Sequence, residues 1–151
     1  MLERLITKRN PKSPISEAYR TVRTNIEFSN LDKDLKIICI TSSKKDEGKT
    51  TVLSNLGVSF AKIDKKVLLI DADLRNPSIS KMFDTSNTQG LMDILLGKKN
   101  IQDCVKKTKQ ENLYILTGGT IPPNPAEVLS SKKMSEFIES IRDEYDYIFI
   151  D

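Results

Sequence analysis

The sequence predicts a three-layer α/β domain with a mainly parallel sheet. Three observations predict it. Apolar, β-branched runs at 36–41, 66–71, 113–117 and 145–151 have the near-continuous hydrophobicity of strands buried on both faces. Helix-patterned segments separate them, the alternation that builds parallel sheets. The first run also opens directly into a glycine-lysine-threonine loop followed by Leu53, Leu56 and Phe60 at helical spacing, so strand, loop and helix come in the order a phosphate-binding loop requires.

That loop reads Ser43-Lys44-Lys45-Asp46-Glu47-Gly48-Lys49-Thr50. Backbone N–H groups near Gly48 and the first turn of the next helix can surround a β-phosphate, and the helix dipole favours the negative charge. Lys49 then reaches the β- and γ-phosphates, and the Thr50 hydroxyl ligates Mg2+. The expected cofactors are ATP and Mg2+, with contacts at Ser43, Lys44, Asp46, Glu47, Gly48, Lys49, Thr50 and Thr51, and the fold is that of a P-loop NTPase. Ser43 stands where the usual pattern has its first glycine. Asp46 sits among groups that should welcome an anion, so its side chain is expected to point outward.

Lys66 to Asp71 forms the next buried strand, with Asp71 and Asp73 at its carboxyl end, where ligands gather in open parallel sheets. Two carboxylates two residues apart point the same way along an extended chain. One can hold the metal's water shell, and the other can accept a proton from an incoming hydroxyl. Asp71 is expected as the base and as a metal group, Asp73 as metal or substrate support, and Arg75 as a neutraliser of charge on a transferred phosphoryl group. The alternative for Asp73 and Arg75 is capping of a helix opened by Pro77. The run Tyr145 to Asp151 ends in a third carboxylate, which reads as a Walker B aspartate holding Mg2+ through water. The sequence stops there, before strands that folds of this class place beside 36–41. The expectation is a natural chain that continues, since the edge of that strand would otherwise expose Ile38 and Ile40.

Taken in order, Gly48-Lys49-Thr50, Ile70-Asp71-Ala72-Asp73-Leu74-Arg75, the Thr117 to Leu129 segment with its Pro-Pro-Asn-Pro, and the Asp151 strand resemble the bacterial tyrosine kinases of capsular and exopolysaccharide synthesis. The resemblance covers nearly the whole chain. It implies a deviant Walker A loop and Mg-ATP-dependent phosphorylation of protein tyrosines, including a tyrosine-rich tail that this chain does not show. It also implies a membrane-anchored polysaccharide co-polymerase or activator as partner, and a cytoplasmic protein recruited by it to the inner face of the membrane. Glu17, Arg20 and Arg23 recur every three residues on the helix expected from Ile15, with Ser16 as its cap. By resemblance they are the contact through which subunits form a ring; read from the residues alone they are a solvated charge ladder. Lys44 lies five residues before Lys49, where related partition and division-site ATPases carry a lysine that reaches a partner's nucleotide. The flanking glycines of those ATPases are replaced here by Lys45 and Asp46, so an ordinary solvated lysine is the alternative. Asn124 approaches the adenine or the acceptor tyrosine by resemblance, or simply makes a turn. The competing functions are an ATP-hydrolysing switch of the partition type and a non-catalytic nucleotide-binding fragment.

Composition narrows the rest. Lys and Arg number 24 against 21 Asp and Glu, a net charge of +3, and 38% of residues are hydrophobic, as in one ordinary domain with a core. Residues 1–14, with Asn10-Pro-Lys-Ser-Pro14, read as an extended lead-in, and 15–151 as a single domain. The lysine pairs are scattered and few aromatics are available for stacking, which argues against a nucleic-acid partner. Cys39 and Cys104 lack metal or disulfide spacing. With no histidine in the chain, acid–base work must fall to carboxylates. No apolar stretch approaches the ~20 residues of a membrane span, so direct membrane insertion is not expected.

Overall fold

The computed structural model describes residues 5–151. Strands β1 (Ile37–Cys39), β2 (Val67–Ile70), β3 (Lys106–Lys107), β4 (Leu113–Leu116) and β5 (Tyr147–Ile150) form one sheet in the order β1-β5-β2-β4-β3. All neighbours are parallel except β3, which runs antiparallel to β4. The helices are α1 (Ile6–Arg9), α2 (Pro14–Ser29), α3 (Lys49–Ala61), α4 (Ile79–Met82), α5 (Leu91–Leu95), α6 (Ile101–Cys104), α7 (Pro125–Leu129) and α8 (Lys132–Ile141).

The four parallel strands, β1, β2, β4 and β5, feed two cores. Val67 and Leu69 pack with Leu53, Leu56, Phe60 and Phe149 on the α3 side. Leu68 and Ile70 pack with Leu91, Phe137, Ile141 and Ile148 on the other, as the two-residue period of a strand dictates. Helices on both faces of a mostly parallel sheet give the expected three layers. The α3 layer lies close: a Cβ on Gly57 would come within 2.7 Å of the Leu69 Cδ2 atom. The register places Ile70 opposite both Ile150 and Leu116, so β2 and β5 end level and the next residues, Asp71 and Asp151, emerge side by side. The Asp151 N–H donates to the Ile70 carbonyl at 2.9 Å.

Two local expectations give way to tertiary contacts. The extended lead-in over 1–14 begins in residues 1–4, which lie outside the described residues, and beyond them the chain folds into α1. Leu5, only 1% exposed, is drawn into the α3 core and sets that turn, a packing gain that overrides the local turn signal. The cap of α2 is Ser13, not Ser16. Ser13 accepts the Ser16 N–H at 3.1 Å and Pro14 occupies the first turn, leaving the Ser16 hydroxyl to bond the Asn10 carbonyl at 2.7 Å. Among the described residues no helix is long and apolar enough to cross a membrane.

Candidate nucleotide and phosphoryl-transfer site

β1 delivers the chain to the loop, and Gly48 hands it to α3 with φ +89°, a left-handed conformation that glycine adopts at no steric expense. A Cβ there would meet nothing within 4 Å, so the demand for glycine is conformational. The Glu47 carboxylate folds back to accept the Lys44 N–H at 3.1 Å, holding the loop's turn from inside. A cleft of about 480 Å³ opens here, with Lys45 to Thr51 on one wall and Asp73, Asn76, Ser78 and Lys81 on the other. Asp46 is exposed, with φ +62°, and it borders this cleft. Lys44 is exposed and lies outside it.

Asp71 and Asp73 part company because the chain leaves the strand at Ile70. Asp73 stands on the cleft wall, 3.3 Å from the Lys49 ammonium, and its other oxygen accepts the Asn76 N–H at 3.1 Å. Asp71 is fully buried behind it. Its Oδ2 accepts the N–H groups of Ser78 and Ile79, each at 2.9 Å, so Asp71 holds the start of α4, which opens two residues later than Pro77. Its Oδ1 is buried without a partner, and so is Oδ1 of Asp151. The Thr50 hydroxyl donates to Asp151 Oδ2.

Burial pushes the Asp71 carboxyl up to about 6, against the two N–H donors and with help from the Asp151 and Asp73 charges. Asp151 is also raised, chiefly by burial, with the Thr50 hydroxyl and Lys49 opposing. Neither carboxylate is in ion-pair contact with a Lys or Arg among the described residues, and the side-chain atoms they offer with Thr50 are oxygens, which suits a hard divalent cation. Among the described residues no three His, Cys, Asp or Glu side chains converge to hold a metal unaided.

The structure does not bring Arg75 to this cluster: it is exposed and lies outside the cleft. Asn124 donates to Glu127 at 2.7 Å at the start of α7, an exposed local contact. On α2, Glu17 and Arg20 pair with each other on the surface. Arg23 turns inward, donating to the Ser59 carbonyl at 2.8 Å. The sequence reading missed Asn76, Ser78 and Lys81 on the cleft wall; the polar residues flanking Pro77, just past the Asp-x-Asp, were the available signal.

The AAA domain family matches residues 35–151. Over its whole length the chain is 47% identical to tyrosine-protein kinase YwqD of Bacillus subtilis (strain 168), of which it covers 64%. The fold is similar to that of the chimerical protein CapA2B2, with a TM-score of 0.93 at 38% identity over 97% of this chain and 65% of that one. It is also similar to the septum site-determining protein MinD of Pyrococcus horikoshii OT3 complexed with Mg-ADP, with a TM-score of 0.66 at 35% identity over 78% of this chain and 48% of that one. The chain spans less than two thirds of the length of each of these proteins. With the loop, the Asp-x-Asp pair and the Asp151 strand end placed as described, the chain belongs to the AAA domain family, and the relative it matches over its whole length is named a tyrosine-protein kinase.

Proposed function

We propose that this chain is the Mg-ATP-binding, phosphoryl-transferring part of a protein-tyrosine autokinase that regulates capsular or exopolysaccharide synthesis and export. The observation that carries the reading is the pair of buried, unpartnered oxygens, Asp71 Oδ1 and Asp151 Oδ1, set beside Thr50 and Lys49 at the foot of a phosphate loop. Buried carboxylate oxygens without partners are expensive unless a cation completes them. Thr50, Asp151 and Asp71 would hold Mg2+, directly or through water. Bound there with ATP, the ion neutralises charge building on the β- and γ-phosphate oxygens.

Lys49 exchanges Asp73 for phosphate, which leaves the Asp73 carboxylate free on the cleft wall. An acceptor hydroxyl entering the cleft meets Asp73, so Asp73 is our choice for the proton acceptor. Asp71, recessed behind it, suits the metal's shell, reversing the roles suggested by sequence alone. The acceptor is a tyrosine from elsewhere, because Tyr145 and Tyr147 are buried and Tyr19 and Tyr114 pack against the two cores. Self-association through the exposed Glu17–Arg20 pair, and recruitment to the inner face of the membrane by a membrane-anchored activator, belong to the same proposal.

The likeness to MinD complexed with Mg-ADP supports a second reading, an ATP-hydrolysing switch. Incubation with Mg-ATP and a tyrosine-containing polymer separates them. The kinase reading expects phosphotyrosine that disappears in Asp73→Asn. Phosphate release with no phosphotyrosine would favour the switch.

A further inference from the structure

Asn55, on α3, is 1% exposed and takes no part in the chemistry described above. Its Oδ1 accepts two hydrogen bonds from one residue, the Thr7 N–H at 3.1 Å and the Thr7 hydroxyl at 2.8 Å. Its Nδ2 donates to the Thr51 carbonyl at 2.9 Å. Two donors on one side and a carbonyl on the other fix the direction of the amide. Thr51 belongs to the first turn of α3, next to the Thr50 that bonds Asp151. A polar thread thus runs from α1, through one buried amide, into the helix that opens at the phosphate loop.

Two more contacts tie the same segment down. Lys62, at the far end of α3, donates to the Thr7 carbonyl at 2.5 Å. Leu5, 1% exposed in the α3 core, also lines the cleft that contains Lys49. α1 itself has four residues and no side-chain cap, far too short to persist alone. It exists because α3 holds it, so its release is a local opening rather than global unfolding. Release would strip the Asn55 Oδ1 of both Thr7 donors and withdraw Leu5 from the cleft lining.

We propose that Thr7 and Asn55 are positioning residues for nucleotide binding, and that residues 5–10 form a docked strap whose release loosens the phosphate loop. The proposal rests on the reading of that loop as a nucleotide site. Coupling of this kind is reciprocal: whatever docking does for nucleotide affinity, nucleotide does equally for docking. A partner that captures the strap therefore weakens nucleotide binding without touching the nucleotide.

The test uses the full chain, amide hydrogen exchange without nucleotide, and calorimetric titration with Mg-ADP. In Thr7→Val, exchange should accelerate at 5–10 and also at 48–52, by about 5- to 10-fold, the effect of one lost buried hydrogen bond. Mg-ADP should bind weaker by a similar factor, exchange in β2 and β4 should not change, and Thr7→Ser should restore both. Acceleration at 5–10 with none at 48–52 would overturn the coupling. Should Thr7→Val fail to fold, the wild type decides: Mg-ADP must slow exchange at 5–10, and unchanged exchange there refutes the strap. Absence of Mg-ADP binding in the wild type would refute the nucleotide reading instead, while exchange at 48–52 in Thr7→Val, or in Lys62→Met, still decides the coupling.

Discussion

Lys49 and Asp73 face each other at 3.3 Å across the mouth of the phosphate loop, so the cation a nucleotide needs is already paired. The pair is about a quarter exposed, with side chains at 22% and 27%, which keeps its strength in the modest range of surface ion pairs. Removing Asp73 frees Lys49 for phosphate and removes the carboxylate nearest an incoming hydroxyl. Asp73→Asn should therefore bind Mg-ADP about 2- to 5-fold tighter, the worth of such a pair, while losing tyrosine phosphorylation. Lys49→Met should lose the nucleotide-induced rise in Tm altogether. Calorimetric titration and thermal melts check both, and weaker ADP binding in Asp73→Asn would show that the ion pair does not compete with phosphate.

Asp71 sets a pH dependence of unusual sign for a carboxylate. Its folded value of about 6 lies above the ordinary 3.8, so the folded chain binds this proton more tightly than the unfolded one. Without magnesium, stability should therefore rise on acidification from pH 7 through about 6 toward 4, and fall as pH rises through that window. A shift of this size corresponds to roughly 3 kcal/mol. Asp71→Asn should be more stable than wild type by about that amount at pH 7.5 and no more stable near pH 4. Asp151, raised for the same reason, leaves part of the slope in the variant. Urea melts at three pH values in a chelating buffer decide it; a wild-type stability that climbs from pH 4 to 7.5 contradicts the assignment.

Much of this was readable from residue order. Four apolar runs foretold the parallel strands, because a strand buried on both faces needs apolar residues throughout. The loop and the carboxylates at 71, 73 and 151 were placed by the strand ends that carry them. What escaped was set by contacts between distant segments. β3 has two lysines and no strand-like pattern, and exists because it pairs with β4. α1 looked like a lead-in because nothing local to it shows that Leu5 has a place in the α3 core. The division of labour between Asp71 and Asp73 depends on the chain leaving its strand at Ile70, which periodicity along a strand does not report.

Gly57 gives a packing prediction on the layer that positions the loop. Its added Cβ would lie 2.7 Å from Leu69 Cδ2 and 3.2 Å from Leu113 Cδ1. Both neighbours are side-chain ends, so they can shift at the expense of rotamer strain in a packed core. Gly57→Ala gains helix propensity of about 1 kcal/mol, and overpacking of this kind costs about 1–3 kcal/mol. The net expectation is destabilisation of about 1 kcal/mol with unchanged Mg-ADP affinity, read by denaturant melts and titration. A stabilised Gly57→Ala would mean that α3 and the sheet yield freely.

The three charges spaced along α2 should separate into two classes. Arg23 is turned inward: its NH1 donates to the Ser59 carbonyl and hydroxyl at 2.8 and 3.2 Å, and its buried Nε makes no hydrogen bond but lies 3.8 Å from the Glu27 carboxylate. Truncating it removes charge-assisted bonds that hold α2 on α3, worth about 1.5–3 kcal/mol. Glu17 and Arg20 instead pair with each other on the surface, where an ion pair at helical spacing contributes only a few tenths of a kcal/mol. Arg23→Ala should therefore lower stability whatever the state of assembly. Glu17→Arg should leave stability almost unchanged and shift the mass seen by light scattering toward the monomer, because a repulsive pair replaces an attractive one at the proposed contact. Denaturant melts and light scattering on both variants give four readings. An unchanged mass in Glu17→Arg would reduce the Glu17–Arg20 pair to a solvated surface contact, and an unchanged stability in Arg23→Ala would return Arg23 to the list of interface candidates.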